Sequence, residues 1–143
     1  MHNWYETTVK YEKTSEKGKI VKTSAKHLID ALSFTEAEAR IIAEMQPFIS
    51  GEFKVAGIVP KKINEIFYNE NGDKWFRAKV NFVTLDEEKG VERKSPTTML
   101  VQACDIKEAR EGLVEGMKGS MADYEVESIT ETKIVDVFKY EAK

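Results

Sequence analysis

Polar and apolar residues alternate from Trp4 to Lys13, with Tyr5, Thr7, Val9 and Tyr11 on one side and Trp4, Glu6, Thr8 and Lys10 on the other, which is the signature of a half-buried strand. The same pattern returns from Trp75 to Val83, where Phe76, Ala78, Val80 and Phe82 take the core side. Each run is followed by a charged loop ending in glycine, at Thr14 to Gly18 and Asp86 to Gly90, which predicts a hairpin. The second strand of each hairpin ends in a nearly continuous apolar stretch, His27 to Ala31 and Met99 to Ala103, so this strand is expected inside the sheet with both faces covered.

Ser33-x-x-Glu36 and Asp105-x-x-Glu108 then mark two helix starts, because the first side chain can accept the amide three residues on. Phe34, Ala37, Ile41, Met45 and Phe48 recur three and four apart, as do Ile106, Ala109, Leu113, Met117 and Met121, predicting one stripe on the sheet. Glu38, Arg40 and Glu44 are assigned to the opposite face. Pro47 should stop the first helix near Gln46, and Gly119 the second. A long last strand follows, Glu52 to Tyr68 and Asp123 to Tyr140. Alternation is lost near Gly57 to Pro60 and Ser128 to Glu131, predicting a bulge or bend, and Pro60 predicts an edge.

These parallels are an internal repeat. An offset of 71 sets Trp4 on Trp75, Val9 on Val80 and Tyr11 on Phe82. One extra residue in the second loop makes it 72, and Gly18, Lys22, Leu28, Ala31, Glu36, Ala37 and Met45 fall on Gly90, Lys94, Leu100, Ala103, Glu108, Ala109 and Met117. It returns to 71 after the helix, pairing Val55 with Val126, Lys62-Ile63 with Lys133-Ile134 and Phe67 with Phe138. The offset changes only where loops are expected, and loops tolerate insertion. The expected architecture is α+β: a tandem duplication of a β-β-α-β unit, repeat one at 4–68 and repeat two at 75–140, forming a single domain over 1–143. Its antiparallel-rich sheet or sheets carry two helices, with a pseudo-twofold axis between the halves. Asn69 to Asp73 reads as a turn that lets the last strand of the first copy hairpin with the first strand of the second. Only Glu141 to Lys143 are expected to fray.

A chain of 143 residues that is 41% apolar can bury a core without staples. Its single cysteine, Cys104, excludes an internal disulfide, and no apolar run reaches the roughly 20 residues of a bilayer span. Met1 to Lys10 lacks an apolar signal core, which points to the cytoplasm and to no membrane partner. A net charge of −3 gives no bulk attraction to phosphate, although charge can concentrate on one face.

Chemistry is sparse. His2 sits in the N-terminal segment, His27 aligns with Met99 and reads as packing, and Cys104 aligns with Leu32 and reads as a small core residue. No Cys/His zinc set, nucleophile triad, P-loop, G-x-G-x-x-G or H-E-x-x-H is present, so no catalytic residue, metal or cofactor is assigned. Gly112-x-x-x-Gly116 reads as a close packing contact. Asp30 is replaced by Gln102 in the second copy, and Glu36 and Glu108 are occupied as caps, which weakens a carboxylate-pair enzyme.

What remains is the outer face of the two first strands: Trp4 and Lys10 in one copy, Trp75, Arg77, Lys79 and Asn81 in the other. An aromatic with flanking cations can stack bases and pair phosphates. Lys13, Lys17, Lys19, Lys22 and Lys26 add positive charge to the first hairpin. Three alternatives stand beside it: indoles that close the core while lysines keep the sheet soluble, docking of a protein partner, and self-association into a homo-oligomer through a sheet face or edge.

The run from His27 to Arg40, preceded by Trp4-Tyr5 and followed by Lys61 to Phe67, resembles a family of uncharacterised proteins from Bacteroidetes and their phages or prophages. The likeness covers nearly the whole chain and rests on strand, cap and helix residues, so it carries no catalytic residues. It implies an accessory role for a phage or mobile element, binding nucleic acid or host protein. The expectation is thus a non-enzymatic binding module, with a small enzyme using surface carboxylates or a purely structural self-associating protein as alternatives.

Overall fold

A computed structural model describes residues 3–139. His2, Tyr140 and the Glu141 to Lys143 segment lie outside the described residues. Ten elements follow in order: β1 (Asn3–Thr14), β2 (Ile20–Ala31), α1 (Phe34–Met45), β3 (Phe53–Lys61), β4 (Glu65–Phe67), β5 (Lys74–Asp86), β6 (Val91–Ala103), α2 (Ile106–Gly116), β7 (Asp123–Glu131) and β8 (Ile134–Phe138). They build two four-stranded, mostly antiparallel sheets, ordered β3-β1-β2-β8 and β4-β6-β5-β7, each with one helix. The chain divides into two compact units, residues 1–62 with 133–143, and residues 63–132.

That division corrects the predicted last strands. Each is broken rather than continuous, into β3 and β4 in the first copy and β7 and β8 in the second. The second fragment then joins the other copy's sheet. β4 runs parallel to β6, with Phe67 opposite Val101, and β8 runs parallel to β2, with Phe138 opposite Ile29. The hairpin expected between repeats is therefore absent. Asn69 to Asp73 is a turn, as predicted, but it joins β4 to β5 across the end of β6. Asn69 N–H donates to Gln102 Oε1 at 2.9 Å, and Gln102 Nε2 donates to the Gly72 carbonyl at 3.0 Å. A Cβ on Gly72 would lie 2.6 Å from the Ala103 backbone, so only glycine lets the chain pass there.

Within each unit the alternation works as predicted. Tyr5, Val9, Ile29 and Ala31 bury against Ala37, Ile41 and Met45 of α1 in the first unit. In the second, Phe76, Ala78, Val80, Met99 and Val101 bury against Ala109, Leu113 and Met117. Completely covering a side chain such as Ile41 or Leu113 stabilises by about 1.5–3 kcal/mol. The matching registers are consistent with duplication, since β1 to β3 and β5 to β7 both slip once, at Thr8/Val9 and Lys79/Val80. These slips are the expected bulges, and Pro60 lies on the edge strand β3.

Both helix caps form. Ser33 Oγ accepts the Glu36 amide at 3.2 Å, and Glu36 accepts the Leu32 amide at 3.4 Å. Asp105 Oδ1 accepts the Glu108 amide at 2.8 Å, and Glu108 accepts the Cys104 amide at 3.3 Å. The apolar stripes are shorter than predicted, because each helix spans only about three turns: Phe34, Phe48, Ile106 and Met121 are exposed. α2 ends at Gly116, a turn before Gly119. Arg40 does not point to solvent but folds back onto Asp30, donating from Nη1 to its carbonyl and, at 2.9 Å, to Oδ1. The Gly112/Gly116 contact is confirmed: Gly112 meets Val101, and Gly116 lies directly on the Phe67 ring.

Candidate functional site

The side of β1 facing away from α1 carries Trp4, Glu6, Thr8, Lys10 and Glu12, because residues two apart share a face. Pairing brings β2 and β3 alongside: Lys10 stands between Ser24 and Lys54, and Glu12 is opposite Lys22. Lys10, Lys22 and Lys54 are exposed, and no carboxylate lies within salt-bridge distance of them among the described residues. Lys26, one row further along, is tied to Glu6 at 3.3 Å. The three lysines, with Lys13, outnumber the carboxylates of Glu12 and Glu52 along an open cleft of about 870 Å³ that Tyr11, Ile20 and Phe53 also line.

The second unit offers the same positions with different charges. Asn81 stands between Pro96 and Glu125, and Val83 is opposite Lys94. Lys94 bridges to Glu125 at 2.9 Å, and that carboxylate raises its ammonium above the ordinary lysine value. Lys22 and Lys54 occupy the places of Lys94 and Glu125. Where the second unit neutralises this row, the first concentrates positive charge. Lys54 was missed by sequence reasoning, and its signal was available: it aligns with Glu125 and sits on the strand that must flank Lys10.

The predicted residues fall into both units. Trp4 and Lys10 lie in the first, half-buried and exposed respectively; Trp75, Arg77 and Lys79 lie in the second. Arg77 and Lys79 are exposed, but Trp75 is only 2% exposed, with Tyr68 edge-on to its ring at 5.8 Å. An indole so covered cannot stack a base, which corrects the exposed placement given to it. Lys13, Lys17, Lys19 and Lys22 are exposed around the first hairpin.

The remaining polar groups serve the fold. Asp30 is buried at 6% exposure and occupied by Arg40. His27, 4% exposed, stacks on Phe138, and desolvation lowers its pKa despite the opposing Asp136 charge. Cys104 is exposed rather than in the core, because it lies at the corner where β6 turns into α2; its thiol donates to the Asn71 carbonyl at 3.0 Å. Local desolvation at that corner and the Glu108 charge push the thiol's pKa up, away from nucleophilic reactivity. Among the described residues no group of three or more His, Cys, Asp or Glu side chains could hold a metal, and no helix is long and apolar enough to cross a membrane.

Residues 3–140 match a family model described as a domain of unknown function, DUF4494. The chain belongs to that family. Neither the curated proteins nor the solved structures contain a match. The family therefore brings no activity to this DUF4494 chain, whose reading rests on its own surface.

Proposed function

We propose that this chain is a non-enzymatic binding module that takes an acidic protein partner on the outer face of its first sheet. The observation behind this is the group Lys10, Lys22 and Lys54, none of them within salt-bridge distance of a carboxylate among the described residues, where the second unit places a Lys94–Glu125 bridge. Opposing Lys10 to Lys54 costs stability to the free chain, as like charges across strands do. A partner that supplies carboxylates relieves that repulsion on binding. Phosphates would relieve it too, but the burial of Trp75 weakens the stacking surface that single-stranded nucleic acid uses. The likeness to phage and prophage proteins of Bacteroidetes suits an accessory protein acting on a host protein in the cytoplasm.

The test is fluorescence anisotropy with two labelled probes, a ten-residue peptide alternating Glu and Val and an oligo-thymidine strand, at low and moderate salt. The proposal expects the peptide to bind, to weaken with salt, and to be lost with Lys10→Glu combined with Lys54→Glu. Preferential binding of the oligonucleotide through the same lysines moves the reading to nucleic acid. Absence of both sinks the binding face.

A further inference from the structure

We propose that the uncovered half of β2 is a docking edge which receives an extended acidic segment of another protein as an added strand. This rests on the acidic-partner reading and specifies how that partner is held. Among the described residues, β2 pairs with β1 along its whole length, from Ile20 to Ala31, but β8 covers its other side only from Lys26 to Ile29. The backbone from Ile20 to Ala25 therefore has a free side, and the side chains of Ile20, Val21, Lys22 and Ser24 are exposed. A strand edge of this kind is a template for pairing.

The second unit shows which groups point outward and how such an edge is closed. There Thr98 N–H donates to Asn64 Oδ1 at 3.2 Å and its carbonyl accepts from the Asn64 amide at 2.7 Å, on the side of β6 away from β5. Backbone groups two residues apart point the same way, so position 96 also faces that free side, and it is a proline with no N–H to give. Thr98 stands opposite Lys79 as Lys26 stands opposite Thr8, and Pro96 opposite Asn81 as Ser24 opposite Lys10. Ser24 and Lys22 therefore present their amides on the open side of β2. Proline blunts the edge in one unit; serine leaves it usable in the other.

Charge selects the occupant. Lys22 lies on the edge itself, Lys19 at its start, and Lys10 one strand in, beside Ser24, so a segment with alternating carboxylates meets cations along its length. Exposed Val21, on the opposite face of the strand, accepts the intervening apolar side chains, and Ile20 packs beside the stems of Lys22 and its neighbours. A second copy of the same edge fits poorly, because antiparallel self-pairing would bring the lysines of both copies together.

Hydrogen exchange with the Glu/Val peptide, read amide by amide on the full chain, tests the geometry. The amides of Lys22 and Ser24 are expected to gain protection when the peptide is added. Ser24→Pro should weaken peptide binding by about tenfold or more, through the lost edge donor and the displaced strand. Ser24→Ala, which keeps the N–H, should stay within about twofold. Pro96 shows that the fold carries proline at the equivalent place, and the melting temperature of Ser24→Pro checks it. If Ser24→Pro binds as well as the parent and protection is confined to Lys10 and Lys54, the edge is wrong while the acidic-partner reading stands. If the parent binds no peptide, both fall. Protection of Lys22 and Ser24 that rises with protein concentration alone makes a second copy the occupant and overturns the acidic segment.

Discussion

The ring of Phe138 lies on the imidazole of His27, centroids 5.4 Å apart and planes 13° from parallel. Histidine is buried there with Nδ1 lacking a hydrogen-bond partner, and desolvation holds its pKa below the ordinary value. Below about pH 6.5 the unfolded chain binds a proton that the folded chain resists. Stability is thus fully present above that value and falls as the pH drops toward the lowered folded pKa. Urea unfolding at pH 7.5 and 5.5 should show this loss, and His27→Met, copying Met99, should shrink it. An unchanged pH dependence in that variant would assign the loss to the carboxylates.

Gly116 and Gly112 separate close contact from helix propensity. A methyl on Gly116 would run into the Phe67 ring, whereas one on Gly112 would sit 3.3 Å from Val101 Cγ1. Gly116→Ala is expected to destabilise by about 1–3 kcal/mol through overpacking. Gly112→Ala should cost less, offset by about 1 kcal/mol of helix propensity. Denaturant midpoints of the two variants check the order.

Lys54→Glu would recreate in the first unit the bridge seen between Lys94 and Glu125. It should raise the unfolding midpoint at low salt, with the gain fading as salt screens the charges, while peptide binding weakens. A lower midpoint at every salt concentration would contradict the repulsion assigned to Lys10 and Lys54.

The two caps give an internal control. Ser33→Ala and Asp105→Ala each remove an acceptor for the amide three residues later, and each should cost about 1 kcal/mol. Thermal or urea unfolding measures it, and Ser33→Asp should retain the stability of the parent.

The ββαβ order, the core faces of β1 and β5, both caps and both bulges were legible from the sequence, because each depends on residues a few positions apart and the repeat displayed every signal twice. The exposed positions of Lys10, Arg77 and Lys79 followed from the same alternation. Trp75 did not follow, since its alternation partners are solvent-facing while Trp75 itself is covered, with Tyr68 edge-on to its ring. Cys104 likewise depended on the corner between β6 and α2. Arg40 looked outward on a helical wheel because its partner, Asp30, belongs to the strand before it.

The destinations of β4 and β8 were decided by tertiary structure alone. Glu65 to Phe67 and Ile134 to Phe138 have the pattern of strands, but that pattern does not name a neighbour: pairing with β5 across a short turn and pairing with β6 after crossing its end satisfy it equally. The choice rests on Gly72 passing Ala103, Gln102 holding the turn, and Phe67 resting on Gly116. Those contacts join residues far apart in sequence. The same choice leaves Ile20 to Ala25 with a free edge, because β8 is too short to cover it.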